Sequence, residues 1–385
     1  MKFIVFGEDW QSHPSSTQHL FKQLAKQHQV IWINSIGMRK PTFRLIDVKR
    51  VFNKLKSLFI SKRTLFSSKR NRPNAKTTNT SQNINLTAHT LAVLPWHDNP
   101  IVRLYNKWIF NKKGLISDEP IVYWLSVPTA ISLISPREQD KVIYYCGDDF
   151  SALAGVDHKM VAPFESELIK KADTIYVVSE RLANKMPKSK VKMLSHGVDL
   201  ALFTTQTAKA RELEQISKPI IGFYGSLNAW LDKALLLTLA KERPEYQLVL
   251  IGHLIEDFSE LLKLDNVTHI KAVEHHRLAS FSQHWQVSIL PFVDNEQIRS
   301  CDPLKLKEYI ATGTPIVTTR FAAVNPYRET ILIADTHQGF IDRIDYAVSL
   351  SKSQNLNWRT NQSQQANNHS WQAKATLVCK QLRFC

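Results

Sequence analysis

Four short stretches of this chain carry residue types whose spacing suits chemistry. In CDPLKLKEYIATGTPIVTT, residues 301–319, Lys305 and Glu308 stand three apart. That spacing puts an ammonium and a carboxylate on one helix face near its start. A carboxylate there, at the C-terminal end of a strand, can accept from two ribose hydroxyls; the bland alternative is a surface ion pair. In GFYGSLNAWLDK, 222–233, a strand runs into a glycine turn and then a helix. Gly225 lets backbone N–H groups approach a phosphate, and the helix dipole favours an anion there, although any βα turn of such a sheet can hold a glycine. LSHGVDLALF, 194–203, is by itself a turn at Gly197 and a helix start. In YYCGDDF, Asp148 and Asp149 follow a buried-looking strand. Like-charged neighbours raise one another's pKa, which suits a general base, though one of the two can instead cap the next helix. His13, ahead of Pro14, is a second base or oxyanion partner, or else a turn residue. His97 and His196 are placed toward the same cleft, His275 and His276 on the surface, and Trp230 either over a ligand or in ordinary packing.

The elements that must hold these groups follow from periodicity. Apolar runs at 2–7, 29–34, 90–94, 121–126, 141–146 and 173–179 alternate with helical patterns at 16–28, 101–112, 160–171 and 180–186, the mark of a parallel α/β sheet. The alternation restarts after a polar stretch at 204–219. Strands are expected at 219–225, 247–252, 286–292, 315–319 and 331–335, with helices at 230–242 and 303–312. Each half then forms its own Rossmann-like domain, and two in tandem place a ligand cleft between facing strand ends.

Composition narrows the class. The chain has 385 residues, 43% of them hydrophobic and 10% aromatic, enough for two full cores and against disorder. Cys146, Cys301, Cys379 and Cys385 show no metal-ligand spacing and read as reduced thiols in a cytosolic protein. The N-terminal apolar run is too short for a signal peptide, and no run of about 18 apolar residues would span a bilayer. The net charge is +16. Residues 1–200 hold 30 basic and 16 acidic side chains and residues 201–385 hold 20 and 18, so the anionic partner belongs to the first half. Residues 36–76 carry 13 Lys/Arg against the single acid Asp47, with Leu45, Val48, Phe52, Leu55 and Phe59 in one helical stripe. Such a helix suits an anionic membrane interface; packed on the core, it is a helix with a solvated basic face. Residues 67–88 read as a polar loop.

Together the motifs resemble the GT-B glycosyltransferases of glycosyltransferase group 1, the family 4-like type. HGVDLALF is similar to that family's "NGVD…F" stretch, the 222–252 segment to its first strand–helix–strand of the donor domain, and DPLKLKEYIATGTPIV to its "K-x-x-E-x-x-A-x-G-x-P-V" motif. HSWQAKATLVCKQL, 369–382, resembles its terminal helix, and WQSHPSSTQHL and YYCGDDF resemble a branch that builds bacterial surface polysaccharides. The resemblance implies an α/β GT-B fold, two Rossmann-like domains facing a central cleft. It implies an acceptor-binding domain at 1–203 with the basic insert at about 36–76, a nucleotide-sugar-binding domain at 204–366, and a helix at 367–385 crossing back to the first domain. By the same resemblance Glu308 binds the donor ribose, Lys305 neutralises the diphosphate, and Gly225 and Ser226 supply donors to it. The base lies near residues 273–276, and no metal or cofactor is needed. Where an inverting relative uses an aspartate base, Asp148 or Asp149 stands here. Two positions depart from the family. Ser300 replaces a second glutamate that contacts the sugar, leaving retention or inversion open, and Lys233 is the only basic residue near the 222–233 turn.

The implied protein is a metal-independent hexosyltransferase, peripheral at the cytoplasmic face of the membrane, whose partners are a nucleotide-sugar donor, a lipid-linked or glycan acceptor and an anionic membrane surface. Two alternatives remain: a nucleotide-sugar epimerase of the same fold, and a non-catalytic nucleic-acid-binding α/β protein. The second is disfavoured because the basic residues flank an amphipathic stripe rather than exposed aromatics suited to stacking.

Overall fold

A computed structural model describes residues 1–12, 15–38, 84–153, 156–352, 362 and 364–383. His13, Cys385 and the basic stripe from Leu45 to Phe59 lie outside the described residues. The chain divides into two compact units, Met1–Tyr176 with Met186–Lys192, and Val177–Lys185 with Met193–Cys385.

The first unit is built on a seven-stranded sheet. Its strands are β1 (Lys2–Phe6), β2 (Gln29–Ile33), β3 (Leu86–His89), β4 (Ile121–Leu125), β5 (Lys141–Cys146), β6 (Thr174–Val177) and β7 (Val191–Met193), in the order β3-β2-β1-β4-β5-β6-β7. β1 pairs in parallel with β2 and β4. All five residues of β1 and of β4 are buried, which is why these strands are unbroken apolar runs: helices cover both faces. The helices start on side-chain caps. Ser15 Oγ accepts from Gln18 N ahead of α1 (Ser16–Leu24). Asn99 accepts from Ile101 N and Val102 N ahead of α2 (Pro100–Lys112), where a proline occupies the first turn. Asp157 caps α3 (His158–Lys171). Each cap satisfies an amide that the helix itself leaves open. Trp124 lies at the core's centre, stacked on Tyr176 at 5.5 Å and edge-on to Phe21 at 5.2 Å.

The second unit opens with α4 (Leu200–Thr204), then a six-stranded parallel sheet. The strands are β8 (Ile220–Tyr224), β9 (Gln247–Ile251), β10 (Val267–Ile270), β11 (Val287–Leu290), β12 (Ile316–Thr319) and β13 (Leu332–Ala334), ordered β10-β9-β8-β11-β12-β13. The chain winds outward from β8 through β9 to β10, then returns to β11 on β8's other side. That reversal makes a crevice beyond the C-terminal ends of β8 and β11, where such sheets bind ligands. α5 (Lys233–Glu242) follows β8, capped by Asp232. α6 (Glu296–Ser300) and α7 (Leu304–Thr312) follow β11; Gly313, at φ +73°, ends α7. α8 (His337–Lys352) and α9 (Trp371–Leu382) complete the described helices of five or more residues.

Three strands differ from the sequence reading. The run 90–94 is not a strand; the sheet edge is the more polar Leu86–His89, paired with β2. β7 and β10 were not expected. Edge strands are covered on fewer sides, so they lack the continuous apolar runs that mark central ones.

The division between units also falls earlier than 203/204. Residues 193–203 belong with the second unit because Val198 N donates to His369 O and Trp371 N to Val198 O. Gly197 admits this contact, since a Cβ there would lie 2.7 Å from Trp371 Cδ2. Gly197→Ala must therefore displace the buried Trp371 ring, and overpacking of this kind costs about 1–3 kcal/mol. Thermal unfolding should show a melting temperature lower by a few degrees.

Candidate functional site

The site forms where β8 ends. Tyr224, its last residue, is buried, and its hydroxyl donates to Glu308 Oε2 at 2.8 Å. His275 Nε2 donates to Glu308 Oε1 at 2.8 Å. The carboxylate is thus held at both oxygens, and each keeps a lone pair for a further donor. Tyr224 is fixed in turn, because its amide donates to the Tyr309 hydroxyl at 3.0 Å. Burial, with Glu308 adding to it, raises the Tyr224 hydroxyl's pKa well above the ordinary value, so it stays a donor. Glu308 sits in the second turn of α7, rather than at a strand end.

Lys305, one turn earlier, points its ammonium over the rings of Phe223 and Phe292, at 5.5 and 5.8 Å. Burial lowers its pKa, with Glu308 pulling the other way. Among the described residues no carboxylate lies within ion-pair distance of it. A desolvated ammonium without a counter-ion is a ready place for an anion. Gly225 makes this approach possible: it sits at φ +139°, and a Cβ on it would lie 2.8 Å from Lys305 Cε. Its own amide is taken by Ile251 O at 2.8 Å, so Gly225 supplies space rather than the donor expected of it. Ser226 is half-buried, and neither its amide nor its hydroxyl has a partner among the described residues.

Behind these groups α7 is anchored by buried charge. Pro303 precedes the helix and gives no side-chain cap. Instead Lys307, one turn in, pairs with Asp302, the two side chains only 2% and 4% exposed. Asp302 also accepts the His196 amide at 2.9 Å. Lys307 lies over the Tyr327 ring, and Tyr327 in turn bonds His369 Nε2 at 2.9 Å. Lys307 and His196 lower the Asp302 pKa despite its burial. Burial depresses His196 and His369 to about 4.

The structure thus brings Gly225, Lys305 and Glu308 together and adds Tyr224 and His275. His275, expected on the surface, is half-buried against Phe203 and Glu308; the sequence signal available was its place in the 273–276 segment. Lys233 is engaged elsewhere, 3.5 Å from Glu256 and over the Phe258 ring. Trp230 packs on the second core. Ser300 is buried, its carbonyl accepting from Ser179. His97 is buried against Ile36 O. In the first unit the two aspartates separate in role. Asp149 is buried and accepts from Ser151 N and Oγ, a turn-forming contact. Desolvation first and Asp149 second push the Asp148 pKa up to about 6. Among the described residues no group of three or more His, Cys, Asp or Glu could hold a metal ion, and Cys146, Cys301 and Cys379 form no disulfide there.

Residues 218–349 match the family model described as Glycosyl transferases group 1. The chain is 26% identical over 222 residues to the candidate teichuronic acid biosynthesis glycosyltransferase TuaH of Bacillus subtilis (strain 168). That match covers 52% of this chain and 56% of that protein, so the chain spans about half the length of the relative. Among solved structures it is similar to HepE of Anabaena in complex with UDP and glucose, TM-score 0.68 at 10% identity over 100% of both chains. Sucrose-phosphate synthase of Thermosynechococcus elongatus gives TM-score 0.70 at 13% identity, covering 99% and 98%. These likenesses show the fold, which is GT-B.

The buried network sets two expectations. Lys307→Met strands Asp302 and should cost about 3–5 kcal/mol, read as a lower denaturant midpoint. For the histidines, a folded pKa below the unfolded value means that the unfolded chain binds more protons as pH falls from about 6.5. Stability should therefore decline from pH 6.5 toward 4, and His369→Gln should flatten part of that decline in urea unfolding.

Proposed function

With a group 1 glycosyltransferase domain on a GT-B fold as premise, we propose that this protein transfers a hexose from a nucleoside-diphosphate sugar to a lipid-linked or glycan acceptor. The setting is bacterial surface polysaccharide synthesis at the inner face of the cell membrane. The single observation that carries the donor half is Lys305: a desolvated cation with no carboxylate in ion-pair distance among the described residues, beside a glycine turn and one helical turn from a carboxylate held for a diol. The UDP complex of the Anabaena protein and the surface-polymer name of the Bacillus relative support the substrate classes.

In this reading Glu308 accepts from the two ribose hydroxyls, with Tyr224 and His275 fixing its orientation. Lys305 opposes the charge that grows on the diphosphate as the sugar's anomeric carbon–oxygen bond breaks, and Ser226 donates to the same oxygens. Charge stabilisation by lysine and hydroxyl is what lets the reaction run without a resident metal or cofactor. If the reaction inverts, Asp148 takes the acceptor hydroxyl's proton while the new glycosidic bond forms. The second unit holds the donor, and the first unit receives the acceptor.

A thermal-shift panel of nucleotide sugars tests the donor site. One nucleotide should stabilise the wild type, and Glu308→Ala or Lys305→Ala should weaken its binding by about tenfold to a hundredfold, the range for a charged hydrogen bond. Stabilisation by none would overturn the reading, and net epimerisation of the donor without an acceptor would mark the epimerase instead. Asp148→Asn should lower transfer by about a hundredfold or more while leaving donor binding unchanged. As the base is active when ionised, wild-type turnover should rise with pH through about 6 and then level.

A further inference from the structure

The first unit exposes an apolar helix face that the donor site does not account for. On α2, Ile101 is 77%, Leu104 70%, Tyr105 39% and Trp108 52% exposed. At 100° per residue these four fall within an arc of about 100°. The opposite face, through Asn106 and Phe110, is the buried one. Asn106 ties the preceding segment to the helix, donating to Leu94 O and accepting from Leu94 N, each at 2.8 Å. That bond brings Leu94 and Trp96, 39% and 44% exposed, to the same helix. Elsewhere among the described residues, exposed large apolar side chains are scattered.

The charges on α2 itself have one sign, while Asp98 lies just before it. α2 has no acidic residue, and Lys107, Lys112 and Lys113 follow along its flank and C-terminal end. None of the three has an ion-pair partner among the described residues. Lys112 rests over the Trp108 ring at 4.7 Å. Arg103 differs, held by Glu167 at 3.5 Å and the Phe164 ring.

We propose that this face of α2, with Leu94 and Trp96, docks the first unit onto an anionic lipid bilayer. The inference rests on the membrane setting proposed above and gives it a surface. Leucine and isoleucine enter the acyl boundary, tryptophan and tyrosine sit at headgroup depth, and lysines reach the anionic phosphates. A second copy of this chain fits less well, because a symmetric pair would set the same lysines against each other.

The test is co-sedimentation of the full chain with phosphatidylcholine vesicles, with and without phosphatidylglycerol. Wild type should bind the anionic vesicles. Ile101→Ser/Leu104→Ser/Trp108→Ser and, separately, Lys107→Glu/Lys112→Glu/Lys113→Glu should each bind at least about tenfold more weakly. Both variants should keep the wild-type melting temperature and nucleotide-induced stabilisation, which separates lost docking from lost folding. Undiminished binding by both variants would overturn the proposal, as would a wild type that ignores vesicles. A wild-type dimer that the apolar variant converts to monomer would assign the face to a second copy. Transfer to a soluble acceptor without vesicle binding would remove the docking surface and leave the sugar-transfer reading standing; vesicle binding without any nucleotide binding would do the reverse.

Discussion

The pairing of Lys307 with Asp302 is the constraint on which the geometry around Lys305 and Glu308 depends. A helix opened by proline has no side-chain cap of its own, and its first turn would otherwise be free to fray. The pair fixes that turn from inside, with both charges almost wholly out of water. Such a pair is costly to form and more costly to break by halves, so it defines a position more than it adds stability. Lys305 and Glu308 lie on either side of Lys307 in the chain and inherit the position.

The winding order of the second sheet does the same at the level of backbone. Because β8 and β11 are neighbours whose chains leave in opposite directions, the turn after β8 faces no covering strand. Tyr224, Gly225 and Ser226 occupy that turn, and each gives something different: a fixed hydroxyl, a missing side chain, and hydrogen-bonding groups with no partner among the described residues. The tyrosine's amide is satisfied by another tyrosine's hydroxyl, so a side chain there closes a backbone requirement.

Much of this was legible in the sequence, and the limits have physical causes. Central strands and the spacing of Lys305 and Glu308 could be read directly, because burial on both faces and helical periodicity leave local patterns. The edges, β3, β7 and β10, leave weak ones. The engagement of His275 and Tyr224 with Glu308 joins residues 33 and 84 positions apart, and no local period reports such a distance. The aspartate pair reads as a base or a helix cap, but the next helix is capped by Asp157, and Asp149 instead holds a turn through Ser151, a contact that the pair alone does not signal. Gly225 reads as a hydrogen-bond donor although its amide meets Ile251 O, since sequence shows a glycine and not which carbonyl its amide meets. The apolar face of α2 was within a segment read simply as a helix: its inward side is Asn106 and Phe110, and an inward asparagine disguises which face is buried.

The way α9 closes on residues 195–198 also bears on how the chain is made. The first unit has all its strands once residue 193 has left the ribosome, whereas Gly197 and Val198, just after it, meet Trp371 and His369 only when those residues follow. The piece Val177–Lys185, assigned to the second unit though embedded in the first unit's span, waits as well. Synthesis therefore holds the second unit incomplete until α9 has emerged, and a chain released before that carries a first unit beside an unfinished second one, exposed to whatever surveillance acts on open cores.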